Sequence, residues 1–302
     1  MINITNKTNT LRKAIAQATL VVSKQETIDA IVNKSVPKGD VFEMAKTAGL
    51  FAVKKTSDVI PDCHPIPIEF TQISYSTENL KITITIEVHT IYKTGVEVEA
   101  MHGASVIALT MYDMLKPIDK GIEIQSIKLL KKEGGKSDKF LNFSSPITSA
   151  IIVCSDSVFA KQKEDLSGNI ILEYFSKLNI SNKEFIIVPD EINAIQETIK
   201  SLLKNNIQLI VLTGGTGVSA RDITPEAVRP LLEKELDGVM EIARNYGQKQ
   251  MPFAMLSRGV AGIIQKSLIL TLPGSIGGVR ESLDVLFPSV LHVFKILNNE
   301  AH

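Results

Sequence analysis

Hydrophobic residues recur along this chain in two different rhythms. In the first half, Ile82, Ile84, Ile86 and Val88 alternate with Thr83, Thr85, Glu87 and His89. That period of two predicts a half-buried antiparallel strand over Lys81 to Tyr92, with Phe70 to Ser76 as a companion strand. From Gly95 to Lys116 the stripe Ala100, Ala104, Ile107 and Met111 predicts a long helix, stopped by Pro117. Asp40 is placed to cap another helix running to about Ser57, with Val41, Met44, Ala45 and Ala48 on one face. Met1 to Thr10 reads as a polar extended arm. Ile15 to Ile31 mixes strand and turn signals and supports no assignment.

The second half changes rhythm. Ser149 to Cys154, Glu184 to Val188, Ile207 to Leu212 and Leu268 to Leu272 are continuous apolar runs, the pattern of strands buried on both faces. Helical patterns over Leu166 to Leu178 and Glu191 to Lys204 separate them, so a mostly parallel sheet covered by helices is expected. Between the halves, Asp138 to Pro146 lacks periodicity and carries Ser144-Ser145-Pro146, a linker composition. The expected organisation is an α+β domain with an antiparallel sheet over 1–140, a linker over 141–147 and an α/β domain over 148–302.

Composition narrows the chemistry. Lys and Arg together number 33, as do Asp and Glu, so the net charge is zero. Bulk charge therefore does not hold a nucleic acid, and any anionic substrate must be met by local lysines. The two cysteines, Cys63 and Cys154, are not spaced for a metal site and read as reduced thiols. No apolar stretch reaches membrane-spanning length, so a soluble, cytoplasmic protein with no membrane partner is expected.

Several residues in the first half suggest a site. Lys38 precedes Gly39 and the Asp40 cap, where a phosphate could sit or a surface lysine simply be solvated. In Ile60-Pro61-Asp62-Cys63-His64-Pro65, two prolines hold Cys63 and His64 on a rigid loop. Asp113 and Lys116 lie one helical turn apart, as a surface ion pair or as an acid–base pair. Glu97 and Glu99 stand at the other end of that helix. If the helix is continuous, Glu99 is about 21 Å from Asp113 at roughly 1.5 Å per residue. They could share one site only between two subunits, or if the helix starts later.

Together with Thr94-Gly95-Val96-Glu97-Val98-Glu99-Ala100, Met111-Tyr112-Asp113-Met114-Leu115-Lys116 and Gly134-Gly135-Lys136-Ser137, these stretches resemble, in order, the motifs of cyclic pyranopterin monophosphate synthases. The resemblance spans about Asn3 to Ser137. It implies a ferredoxin-like fold, a hexamer or other homo-oligomer with sites between subunits, and conversion of 3′,8-cyclo-7,8-dihydro-GTP to the cyclic phosphate with release of pyrophosphate. It places Lys38, Asp113 and Lys116 at catalytic positions, and Lys54, Cys63, His64, Glu97, Glu99 and Lys136 in or near the substrate pocket. Asp62, Met101-His102 and Asp138 depart from the family pattern without replacing a catalytic position.

In the second half every polar signal follows a strand. Ser155-Asp156 follows the first run and Asp190 the second. Thr213-Gly214-Gly215-Thr216-Gly217 and Asp222 follow the third, and Pro273-Gly274-Ser275 the fourth. Ligands of such sheets bind outside the carboxyl ends of the strands. The glycine loop is expected to offer backbone N–H groups to phosphates. Thr224-Pro225 reads as a helix start with Thr224 as its cap. These residues, with Asp165-Leu166-Ser167-Gly168, Arg221 and Ser257-Arg258, resemble the molybdopterin adenylyltransferase family over about Ile147 to Leu297. The resemblance implies pterin and ATP as substrates, Asp190 and Asp222 as catalytic carboxylates, Mg²⁺ held with Asp222, and Ser275 toward the pterin's phosphate. A non-catalytic molybdopterin-binding or assembly module shares this fold and stands as the alternative.

Overall fold

A computed structural model describes residues 1–134, 146–178 and 180–299. The chain divides into two compact units, Met1–Lys139 and Phe140–His302.

The first unit is built on β1 (Thr10–Val21), β2 (Phe70–Glu78), β3 (Lys81–Tyr92) and β4 (Glu123–Glu133), ordered β2-β3-β1-β4. Every pairing is antiparallel. β2 and β3 form a hairpin, with Glu78 opposite Lys81 and Asn79 at φ 51° in the two-residue turn. The helices are α1 (Gln25–Val32), α2 (Val41–Lys54), the single turn α3 (Thr56–Val59) and α4 (Glu97–Leu115). Asp40 caps α2 by accepting from Glu43 N at 3.3 Å. Ile82, Ile84, Ile86 and Val88 are fully buried, as are Ala104, Ile107 and Met111 of α4. Each large aliphatic side chain so buried contributes roughly 1.5–3 kcal/mol. β1 and α1 resolve the ambiguous stretch: β1 turns Ala14, Ala16, Ala18 and Leu20 inward, a buried side made mostly of small residues.

The second unit holds a six-stranded sheet ordered β6-β5-β7-β10-β9-β8. Its strands are β5 (Ile147–Cys154), β6 (Ile180–Val188), β7 (Leu209–Thr213), β8 (Lys234–Glu235), β9 (Ala261–Ile264) and β10 (Ser267–Leu272). β6, β5, β7 and β10 run parallel, while β9 and β8 close the edge antiparallel. Ile147 already belongs to β5, although the sequence pattern left it in the linker. The helices are α5 (Asp156–Phe159), α6 (Ser167–Ser176), α7 (Ile192–Lys204), α8 (Thr224–Val228), α9 (Asp237–Gln248), α10 (Ile276–Leu286) and α11 (His292–Leu297). One core layer joins Phe175, Val279 and Leu283 to one set of strand residues; another joins Ile195, Ile199 and Leu202 to the other set. In register, Cys154 faces Val188, Val153 faces Thr213, and Thr213 faces Leu272. The parallel strands thus end in line, which brings the loops opened by Ser155, Pro189, Gly214 and Pro273 to one edge.

Candidate functional sites

In the first unit, the end of α4 carries a compact charged cluster. The Asp113 carboxylate receives Lys116 Nζ on Oδ1 and Lys38 Nζ on Oδ2, both at 2.7 Å. Lys38 also donates to the Asp113 carbonyl at 3.0 Å. Hydrogen bonds from Lys116 first and Lys38 second hold the Asp113 carboxyl down at about 2, and Asp113 in turn raises Lys116. Asp113 therefore stays ionised near neutral pH and holds Lys116 protonated.

Glu99 stands in the first turn of α4 and is 3% exposed. Burial, with a smaller push from Glu97, moves its carboxyl up to about 7. The Cys63 thiol is raised by burial and then by the charges of Glu99 and Asp62, which sets the Cys63-His64 loop near this end of the helix. Glu97 lies 3.6 Å from Lys132, and His102 Nδ1 is 3.1 Å from Thr56 Oγ1. The same hydroxyl lies within hydrogen-bond distance of the Ala52 and Val53 carbonyls. Lys54, the last residue of α2, is exposed, and among the described residues no hydrogen bond or ion pair joins it to either cluster. Lys136 lies outside the described residues. α4 is continuous from Glu97, so the Glu99 and Asp113 ends are about 21 Å apart within one chain.

In the second unit the strand-end edge carries two adjoining cavities. The larger, ≈ 660 Å³, reaches from Gly215, Thr216 and Gly217 toward α9 and α10. The other, ≈ 450 Å³, is lined by Ser155, Asp190, Thr213, Gly214 and Arg221 among others. Gly215, Asp222, Gly274 and Ser275 line both, so the cavities meet there.

The glycine loop is narrower in its offering than its sequence suggests. The Gly214 amide donates to the Leu272 carbonyl at 3.2 Å and is not available to a phosphate. Gly214 serves the turn instead: its φ is +100°, and a Cβ there would stand 2.2 Å from the Cys154 carbonyl oxygen. Among the described residues no backbone acceptor is paired with the amides of Gly215, Thr216 or Gly217, and these are the open donors. Thr224 does not cap α8; its hydroxyl donates to the Gly214 carbonyl at 2.9 Å and its amide to the Gly215 carbonyl at 3.1 Å.

Asp190 and Asp156 exchange backbone bonds. The Asp156 amide donates to Asp190 Oδ2 at 3.1 Å, and the Asp190 amide to Asp156 Oδ1 at 3.0 Å. Asp156 also pairs with Arg221. Asp190 Oδ1 is buried without a hydrogen-bond partner, and its carboxyl is raised by burial and then by Asp222. Ser155 and Ser275 both cap helices, accepting from Val158 N at 3.4 Å and Gly278 N at 3.2 Å. The Thr213 hydroxyl donates to the Pro273 carbonyl, tying two strand-end loops together. Among the described residues no group of three or more His, Cys, Asp or Glu is placed to share a metal ion.

The loop carrying Asp222 is braced by Arg258, which the motif pattern included without a role. Its Nε donates to the Gly217 carbonyl at 2.6 Å, its Nη2 to the Asp222 carbonyl, and its amide to the Thr216 carbonyl at 2.9 Å. Met240, Arg244, Phe253 and Glu281 of the larger cavity have no counterpart in the sequence reading. α9 and the 3₁₀ turn Pro252–Leu256 carry the first three, and neither was recognised from its pattern.

Fold and sites together define a two-domain protein: an antiparallel α+β unit with a lysine–aspartate cluster, joined to an α/β unit with a phosphate-type strand-end cleft. Residues 1–135 match the MoaC family, and residues 150–292 match a probable molybdopterin binding domain. A molybdenum cofactor biosynthesis bifunctional protein of Chlorobaculum tepidum is 38% identical over all of this chain and 96% of its own length. One of Synechococcus elongatus is 33% identical over all of this chain and 98% of its own. A cyclic pyranopterin monophosphate synthase of Listeria welshimeri is 46% identical over 46% of this chain and 88% of its own. A molybdopterin biosynthesis enzyme of Thermus thermophilus, solved by crystallography, is 35% identical over 51% of this chain and 98% of its own, with a TM-score of 0.49. The chain belongs to the family of bifunctional molybdenum cofactor biosynthesis proteins, and it is an enzyme. No helix among its described residues is long and apolar enough to cross a membrane.

Proposed function

We propose that residues 1–140 convert 3′,8-cyclo-7,8-dihydro-GTP to cyclic pyranopterin monophosphate and pyrophosphate, and that residues 148–302 transfer AMP from ATP to molybdopterin in the cytoplasm. In the first reaction Lys38 and Lys116 supply cations for the triphosphate and donors for the rearrangement, and Asp113 holds them in place. Cys63, His64, Glu97 and Glu99 complete the pocket from the far end of α4 in a second copy of the chain, with Lys54 and Lys136 as the further lysines that the family resemblance implies. The continuity of α4 supports this, since one protomer cannot bring both ends to a single reacting centre. This reading takes the protein as a homo-oligomer, hexameric or based on trimers. The β-α-β-β-α-β order with strands 2-3-1-4 supports a ferredoxin-like description of the first unit.

For the second reaction one observation carries most weight: two cavities meet at Asp222, beside three open amides. A nucleotide in the polar cavity and a pterin in the larger one would bring the pterin's phosphate and the α-phosphate of ATP together there. The Gly215, Thr216 and Gly217 amides then hold phosphate oxygens, and Ser275 at the start of α10 holds the pterin's phosphate. The unpartnered, buried Asp190 Oδ1 facing a second carboxylate suits a divalent cation. With two carboxylates and the substrate phosphates as ligands, Mg²⁺ fits better than a metal needing a full protein cage. Bound there, it would neutralise phosphate charge during in-line displacement. Incubating the full chain with molybdopterin, Mg²⁺ and α-labelled ATP should yield labelled adenylyl-molybdopterin and pyrophosphate. Tight molybdopterin binding with no ATP consumed would instead establish a binding module.

A further inference from the structure

Glu281 occupies an unusual place in the larger cavity. It lies on α10, one and two-thirds turns after Ser275, so the two are about 9 Å apart along the helix at roughly 1.5 Å per residue. Around it the wall is largely apolar, with Met240, Met251 and Phe253. Its carboxylate lies beside two glycines: a Cβ on Gly247 would stand 3.4 Å from Oε2, and one on Gly277 4.0 Å from Oε1, both ordinary contact distances. Arg244 lines the same cavity but turns its Nη1 to the Gly259 carbonyl at 3.4 Å. Among the described residues no hydrogen bond or ion pair reaches Glu281. Burial alone pushes its carboxyl above the ordinary range. A half-buried carboxylate without a protein donor has acceptor capacity left for a ligand's N–H groups.

The matching ligand edge has two parallel N–H donors. A 2-amino-4-oxo pyrimidine ring has that edge, in its amino group and the neighbouring ring N–H. Adenine does not. We propose that Glu281 is a specificity-determining residue that accepts both N–H donors of a pterin's 2-amino-4-oxo edge, while the pterin's phosphate arm lies at the Ser275 end of α10. This rests on the reading that the larger cavity takes the pterin. It also explains why the nucleotide belongs in the other cavity: adenine would leave the Glu281 carboxylate unpaired.

The test uses two stable probes, 6-hydroxymethylpterin phosphate and its 2-oxo counterpart, titrated into the full chain and followed by pteridine fluorescence. The 2-oxo compound points a carbonyl at the carboxylate in place of an N–H donor. Wild type should bind the 2-amino probe at least about 10-fold more tightly, the size expected for a hydrogen bond to a charged group. Glu281→Gln, which can donate as well as accept, should weaken the 2-amino probe by about 10-fold and remove or reverse the preference, with KM for ATP unchanged. A loss of fold would weaken both probes alike and leave their ratio intact, so the ratio carries the result. Equal binding of the two probes by wild type, or an undiminished preference in Glu281→Gln, overturns the assignment of Glu281 while leaving the pterin in the cavity. Failure of wild type to bind either probe overturns the cavity reading itself, and Glu281's role with it.

Discussion

The length of α4 leads to a quantitative prediction about how copies of this chain cooperate. Glu99 and Lys116 stand near opposite ends of one uninterrupted helix, Glu97–Leu115. Their Cα separation is about 25 Å at roughly 1.5 Å per residue, too far for the two side chains to meet at one reacting centre. A site needing both must take Glu99 from one copy and Lys116 from another. Glu99→Gln and Lys116→Ala should each reduce pyranopterin formation by about 100-fold or more, as expected for loss of a proton-handling group. Co-expressed in equal amounts, the two variants should recover activity. In a two-fold interface half of the pairs are mixed, and each mixed pair holds one intact and one doubly altered site. The expected recovery is about one quarter of wild type. The assay is pyrophosphate release from the cyclised GTP substrate, with fluorescence of the oxidised pterin as a second readout. Activity in the mixture no higher than the sum of the two variants, with mixed oligomers demonstrably present, would refute the two-copy site.

Three further outcomes follow. Glu99 has a folded-state carboxyl at about 7 against an ordinary 4.5. The folded chain therefore holds this proton where the unfolded chain has lost it, and stability falls as pH rises from about 4.5 to about 7. The loss is on the order of 3 kcal/mol, so Glu99→Gln should flatten denaturant-unfolding midpoints compared at pH 5 and pH 8; an unchanged pH dependence would contradict the burial argument. Gly214→Ala must place a Cβ against the Cys154 carbonyl at φ +100°, which should cost about 1–3 kcal/mol or more and abolish ATP use while leaving pyranopterin formation intact. Chelating divalent cations with EDTA should stop AMP transfer, and added Mg²⁺ should restore it; transfer at full rate in EDTA would remove the cation from the reading.

Where the sequence pattern was informative, the reason is physical. The Ile82–Val88 alternation and the apolar runs of β5, β7 and β10 are legible because burial on one or both faces demands those residues. β1 was not legible: its inward face is Ala14, Ala16 and Ala18, small enough for α4 to lie close, while Ile15 points the other way. Ile15 and its alanine neighbours erase the hydrophobic contrast. The glycine loop was recognisable, but which amides are open depends on the Leu272 carbonyl, a partner on a strand far along the chain. Thr224 shows the same limit, since the acceptor that draws its hydroxyl from capping is the Gly214 carbonyl. α9 does carry a core-facing stripe, Val239, Met240 and Ala243, but Met240 and Ala243 also wall the larger cavity, and a stripe of that kind marks a helix without marking the cavity beside it.

The most direct measurement assays both reactions in the full chain and in two single variants, Lys116→Ala and Asp222→Ala. Two separate active sites predict a clean crossing: Lys116→Ala loses pyranopterin formation and keeps Mg²⁺-dependent AMP transfer to molybdopterin, and Asp222→Ala does the reverse. If wild type transfers no AMP, or if Asp222→Ala transfers it at the wild-type rate, the strand-end cleft is not the adenylylation site.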